Sequence, residues 1–220
     1  DYRENIRRRN VRLAVNPEGP ATGTITVQYG GQDSLIHRID SLETDAAGRT
    51  KSLEDEIKGW LPANAEVKLV SSPAWEDYEH PLEATFQVKC NILTSAGHRV
   101  LVPAHLLEFT QQPRFTHATR VNKVYFAYPY GEIDETRIRL PETMRVESVP
   151  DPVQNKLDYA AYVTDYAKAS HEFVAGRQLM VGLGIFEVNE YKQLKSFYDN
   201  AHTVDQSQAV VQGASHASGN

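Results

Sequence analysis

The sequence predicts a mostly β protein with a minor α component, built as two antiparallel β-sandwich-like modules, the first carrying two short helices. Three observations lead there. Stretch after stretch alternates polar and apolar residues at the period of a half-buried strand. The period switches to that of a helix in only three places. A polar run from Thr110 to Thr119, containing Gln111-Gln-Pro113, interrupts the pattern midway and reads as a boundary. At 220 residues the chain is long enough for two domains, which cluster near about 100–150 residues each. The expected organisation is a β module with two helices over 1–112, a second β module with a short C-terminal helix over 113–213, and a flexible tail over 214–220.

Taken in order, Asn10–Val15 alternates as a strand, Asn16-Pro-Glu-Gly-Pro20 is turn chemistry, and Thr22–Tyr29 returns as a second strand, so the two form a hairpin. Gly30-Gly31 breaks it. Leu35, Ile36, Ile39 and Leu42 then share one helical face, with Asp33 or Ser34 able to cap the first turn. Leu53, Ile57, Trp60 and Leu61 repeat that spacing before Pro62 stops it, and both helices are expected to lay their apolar faces on one side of a sheet. Strands resume at Glu66–Val70, Ala84–Ile92 and, after a turn at Ser95–His98, Arg99–Val102. In the second half Val121–Tyr130 is rich in aromatic and β-branched residues, and Arg137–Leu140 and Arg145–Val149 alternate, each followed by proline. Leu157–Asp165 alternates as a strand through Leu157, Tyr159, Ala161 and Val163, although its alanines would tolerate a helix, and Glu172–Leu183 offers another strand. Asn189–Asn200 reads as a helix with Tyr191, Leu194 and Phe197 or Tyr198 inward, and Ala209–Val211 offers one final strand.

The bulk numbers exclude several function classes. The formal charge is -6, from 23 basic and 29 acidic residues spread along the chain, so there is no field to attract nucleic acid. No apolar run approaches the roughly 20 residues of a membrane span. One cysteine allows no internal disulfide framework and leaves the compartment open. The first residue is Asp1 rather than Met, which reads as a processed form or a fragment of a longer polypeptide.

A search for chemistry returns no catalytic residue, cofactor site or metal set. Cys90 shares its strand parity with Phe86, Val88 and Ile92, so it points into a core rather than toward a base. The eight histidines form no His-x-His or His-Glu-x-x-His pair. The acidic groups Trp75-Glu-Asp-Tyr-Glu79 and Glu132-Ile-Asp-Glu135 lack calcium-loop spacing and read as solvated turns. Arg7-Arg-Arg9 reads as an exposed lead-in to the first strand, and Gly182-Leu-Gly184 lacks the context of a dinucleotide site. The aromatic residues Trp75, Tyr78, Tyr128 and Tyr130 are left as a candidate binding surface for peptide or carbohydrate.

The order of these features, from Thr22–Tyr29 through the helix carrying Arg38, Trp75–Leu82, Arg120 with Tyr125–Tyr128, Arg137–Pro141 and Val146–Pro150 to Glu190-Tyr-Lys-Gln-Leu194, resembles a known region over Asn10 to Gln212. It is similar to the segment downstream of the transglutaminase-like, cysteine-peptidase-like core in bacterial proteins that also carry domains of unknown function. The resemblance implies a periplasmic or extracellular location and an upstream core with Cys, His and Asp. No residue here matches that triad, and Cys90 is not recruited into it. The function expected is therefore a non-catalytic accessory or scaffold region whose partner is the upstream domain of the same polypeptide. The alternative is a carbohydrate- or peptide-binding β module of an exported protein.

Overall fold

A computed structural model describes residues 3–17 and 19–213; the expected tail at 214–220 lies outside the described residues. The chain is mostly β, as its alternation requires. The first hairpin is β1 (Ile6–Ala14) and β2 (Ala21–Tyr29), followed by α1 (Gly31–Leu42), α2 (Ala46–Trp60), β3 (Glu66–Ser71), β4 (Leu82–Cys90), β5 (Thr94–Ala96) and β6 (Arg99–Pro103). After a long irregular stretch come β7 (Val124–Tyr125), β8 (Tyr130–Arg139), β9 (Arg145–Ser148), β10 (Gln154–Leu157), β11 (Ala160–Ala169), β12 (Glu172–Val181), β13 (Ile185–Phe186), α3 (Tyr191–Asp205) and β14 (Gln208–Gln212). Within the aromatic, β-branched stretch Val121–Tyr130 only the two-residue β7 and the first residue of β8 are strand: Val124 and Phe126 are drawn into an aromatic cluster and Tyr125 is left outside.

The strands form an eight-stranded sheet in the order β10-β11-β12-β8-β1-β2-β4-β3, a four-stranded sheet β5-β6-β14-β9, and the pair β13-β7. Both larger sheets draw on both halves of the chain. β1 runs parallel to β8, with Arg7 opposite Glu132 and Arg9 opposite Asp134. β6 runs antiparallel to β14, with Val100 opposite Val211. The expected boundary between residues 112 and 113 therefore does not separate two sheets.

One apolar core likewise joins Ile25, Ile57 and Phe86 from the first half to Ile138, Phe173 and Val211 from the second. Cys90 belongs to it at 3% exposed, and burial pushes its thiol up to about 11. A second, aromatic core packs Tyr191, Leu194, Phe197 and Tyr198 of α3 onto Tyr162, Leu179 and Val181, the inward face expected of that helix. α2 is likewise seated as its spacing predicts: Asp45 caps it by accepting from the Gly48 N–H, and Leu53 and Ile57 are buried.

Candidate functional site

The parallel register of β1 and β8 builds a buried ionic cluster at the centre of the large sheet. Arg9 forms a fork on Asp134 (2.7 Å to each oxygen) and reaches Glu108 at 2.6 Å. From β12, Arg177 grips Asp205 at 2.8 and 3.2 Å and donates to Glu132 and Asp134 at 3.0 Å each. Arg7 donates to Glu132 at 2.7 Å, and Trp60 covers the guanidinium groups of Arg7 and Arg9. Arg9 and Arg177 are 2% and 3% exposed, so the expectation that Arg7–Arg9 forms an exposed lead-in holds for Arg8 and is corrected for Arg9, with Arg7 half-buried.

Charges so buried are tolerated only because each meets opposite charge and hydrogen bonds. Burial alone would raise the Glu132 carboxyl, yet Arg7 and Arg177 hold it well below the usual carboxylate range. Glu108, Glu132, Asp134 and Asp205 outnumber the three arginines. Burial pushes the Glu108 carboxyl above its ordinary value, against the pull of Arg177 and Arg9. This cluster answers for the acidic group at 132–135: Glu132 and Asp134 point inward to arginines, while Glu135 on the opposite parity accepts from Asn10 and sits near Arg137.

The second notable arrangement is α1, whose buried residues are Ser34, Arg38 and Ser41. The apolar residues expected to cover the sheet face the other way: Leu35, Ile36, Ile39 and Leu42 are 46%, 44%, 50% and 82% exposed. The reason lies in what the polar face holds. Arg38 donates through Nε to the carbonyl of Trp75 (3.1 Å) and through Nη2 to the carbonyls of Asp77 and His80, and it also bonds Ser34. The loop between β3 and β4 thus uses Arg38 as its organiser, and α1 must turn that face inward. His37 adds a tie to α2, its Nε2 at 3.0 Å from Glu56, which also accepts from the Tyr29 hydroxyl. Burial acts to lower the His37 pKa, but the Glu56 bond and charge outweigh it and hold it above its ordinary value. Gly31, at φ +49, lets the chain start α1 where any Cβ would meet the Glu4 carbonyl at 2.4 Å. Asn5 locks this corner, accepting from the Gln32 N–H at 2.9 Å and donating to the Pro129 carbonyl at 2.9 Å.

Residues 98–211 match a family described as a Domain of Unknown Function with solved-structure structure (DUF3858). The chain belongs to the DUF3858 family. No curated protein and no solved structure matches it. The DUF3858 segment opens at β6 and closes in β14, strands that are antiparallel neighbours, so the segment ties its own ends together. Its β8 then recruits β1 from outside the segment, and the buried arginines are split accordingly: Arg7 and Arg9 lie before the DUF3858 segment and Arg177 within it.

The four aromatic candidates fall in two places rather than on one surface. Trp75 and Tyr78 flank a hollow of about 370 Å³ beside the inward face of α1, with Arg49 over the Trp75 ring and Arg38 over the exposed Tyr78 ring. Tyr128 and Tyr130 line a cleft of about 360 Å³ on the other flank of α1, together with Arg7, Asp33, Ile36 and Arg114. There the Tyr128 hydroxyl donates to Asp33 at 2.5 Å, and Tyr130 and Tyr198 share a hydroxyl–hydroxyl bond at 2.6 Å. A hollow of about 700 Å³ between β10 and α3 is lined by amides such as Gln154, Asn155 and Gln193 and collects no ionisable cluster. Among the described residues no group of three His, Cys, Asp or Glu is placed to hold a metal ion, and no helix is long and apolar enough to cross a membrane.

Two features escaped the sequence reading. The paired arginines had a signal: Arg7 and Arg9 share one strand parity, Glu132 and Asp134 share another, and matched spacings of opposite charge suit adjacent strands. The outward turn of α1 had none, because periodicity marks a face without saying which way it points.

Proposed function

We propose that this chain is a non-catalytic accessory region that docks, through the outward face of α1, onto a preceding domain of the same polypeptide. The observation that carries the reading is the four large aliphatic side chains exposed together on one twelve-residue helix. Single exposed aliphatics are ordinary, whereas a contiguous stripe is characteristic of an interface. The place suits the partner: Asn5 is fastened to the first turn of α1, so polypeptide ahead of it would emerge beside that stripe. The partner we propose is a transglutaminase-like core in a periplasmic or extracellular setting, a reading supported by the resemblance to the region that follows such cores. Catalysis belongs to that core, and this chain orients it or its substrate. A carbohydrate-binding reading has less support, since the ring of its most exposed candidate, Tyr78, is already faced by Arg38 at 5.5 Å.

The test is the double substitution Leu35→Glu, Ile39→Glu. In this chain alone it should change stability by no more than about 0.5 kcal/mol, since both sites are solvent-facing. In the longer polypeptide it should release the docked arrangement and raise the radius of gyration measured by small-angle scattering. An unchanged arrangement would remove the docking role, and unfolding of the short chain would show that the stripe serves stability instead.

A further inference from the structure

Between Glu108 and Glu132 the sequence contains no acidic residue, yet it carries Arg114, Arg120 and Lys123 in a chain of net charge -6. This loop is held firmly: Phe115 is buried among Phe126, Tyr191 and Tyr198, and the Tyr191 hydroxyl donates to the carbonyl of His117 at 2.6 Å. Lys123 is paired with Glu187. Arg114 has no carboxylate partner among the described residues. Its guanidinium instead lies over three rings, 4.7 Å from Phe126 and 5.4 Å from each of Tyr130 and Tyr198. These ring contacts hold the group without consuming its N–H donors, which remain able to receive a carboxylate through two parallel hydrogen bonds.

The surroundings favour a side chain over a free ion. Arg114 stands in the 360 Å³ cleft whose rim is Ile36, from the exposed stripe of α1, and Tyr125, which is 70% exposed. The two acids in that cleft are engaged, Glu132 with Arg7 and Arg177 and Asp33 with the Tyr128 hydroxyl. Arg7, another lining residue, keeps a buried Nε without a hydrogen-bond partner. The cleft therefore presents a cation without a carboxylate partner among the described residues, beside the apolar Ile36 and the exposed Tyr125.

We propose that Arg114 anchors an acidic side chain of a partner polypeptide segment, whose apolar neighbours lie on Ile36 and Tyr125. This deepens the docking reading by giving the partner element a chemistry: a Glu or Asp flanked by aliphatic residues.

The experiment titrates this 220-residue chain with the capped tripeptide Ac-Leu-Glu-Leu-NH2 and its glutamine counterpart, following the arginine Nε–Hε resonances by NMR. The glutamate peptide should shift the Arg114 resonance saturably and bind about tenfold more tightly than the glutamine peptide, a difference of about 1.4 kcal/mol. Arg114→Gln should abolish that preference, Arg114→Lys should retain part of it, and Arg120→Gln should leave it intact. No saturable shift, equal binding of the two peptides, or a preference that survives Arg114→Gln would overturn the proposal. Tighter binding of an oligothymidylate would overturn it too and reassign the loop to nucleic acid. Because docking of the longer polypeptide is read separately through the α1 substitutions, either idea can fail while the other stands.

Discussion

The centre of the large sheet and the outer face of α1 break the same rule in opposite directions. At the sheet centre Arg9 and Arg177 are buried with Glu132, Asp134 and Asp205, where apolar side chains would ordinarily sit. On α1 Leu35, Ile36, Ile39 and Leu42 face solvent while Ser34, Arg38 and Ser41 are buried. The difference lies in whether the exception is closed. Arg9 and Arg177 each have carboxylates in bonding contact, so their charges are answered within the chain and their consequences are for stability. The α1 stripe is left exposed by the described residues, so its consequences are for association. Burial of charge here marks a finished junction between two parts of the chain, and exposure of apolar surface marks an unfinished one.

The largest effect that can sharpen this contrast is expected from Arg177→Met. It would leave Asp205, Glu132 and Asp134 buried with one cation fewer, and should cost about 3–5 kcal/mol in chemical denaturation. A loss below about 1 kcal/mol would mean that the cluster does not fasten the halves, and the comparison would collapse.

Next comes acid sensitivity near the same junction. His105 is buried, with Nε2 at 2.7 Å from the Tyr166 hydroxyl, and burial lowers its pKa from 6.5 to about 4. Its folded-state value lies below its unfolded one, so its stabilising contribution is complete above pH 6.5 and is lost as the pH falls toward about 4. The loss should amount to about 3 kcal/mol across that window. Glu108, raised by burial, titrates in the opposite sense: its contribution is present below its ordinary value and lost as the pH rises through the higher one. The test is accordingly the difference between the parent chain and His105→Gln, which should widen in the variant's favour on acidification. Parallel pH profiles would refute it.

A smaller effect is expected from Glu108→Gln, which removes the surplus negative charge while Arg9 keeps its fork on Asp134. Stability at pH 7 should move by no more than about 1 kcal/mol. Any advantage of the variant should fade as the pH falls through the raised Glu108 value and be gone by the ordinary glutamate value. A loss as large as that of Arg177→Met would show that the four carboxylates act as an indivisible set. Smallest of all should be the effect of the paired α1 substitutions on this chain's own stability, which places the two regions at opposite ends of one scale.

Much of the architecture was legible in the sequence because strand and helix periods are local. The alternation around Phe86, Val88 and Cys90 placed the cysteine in the core, and the spacing of Tyr191, Leu194 and Phe197 oriented α3 correctly. The turn before β2, the stop after Trp60 and the last strand near Val211 followed from residue chemistry alone. What only the tertiary structure decided was partnership. A period says which residues share a face, and the neighbour across the gap says whether that face is inside. Arg9 is buried because a strand 125 residues downstream supplies Asp134 opposite it. The aliphatic face of α1 is outside because Arg38 is needed by three carbonyls of another loop, and a helix held by one face must offer the other to solvent or to a partner.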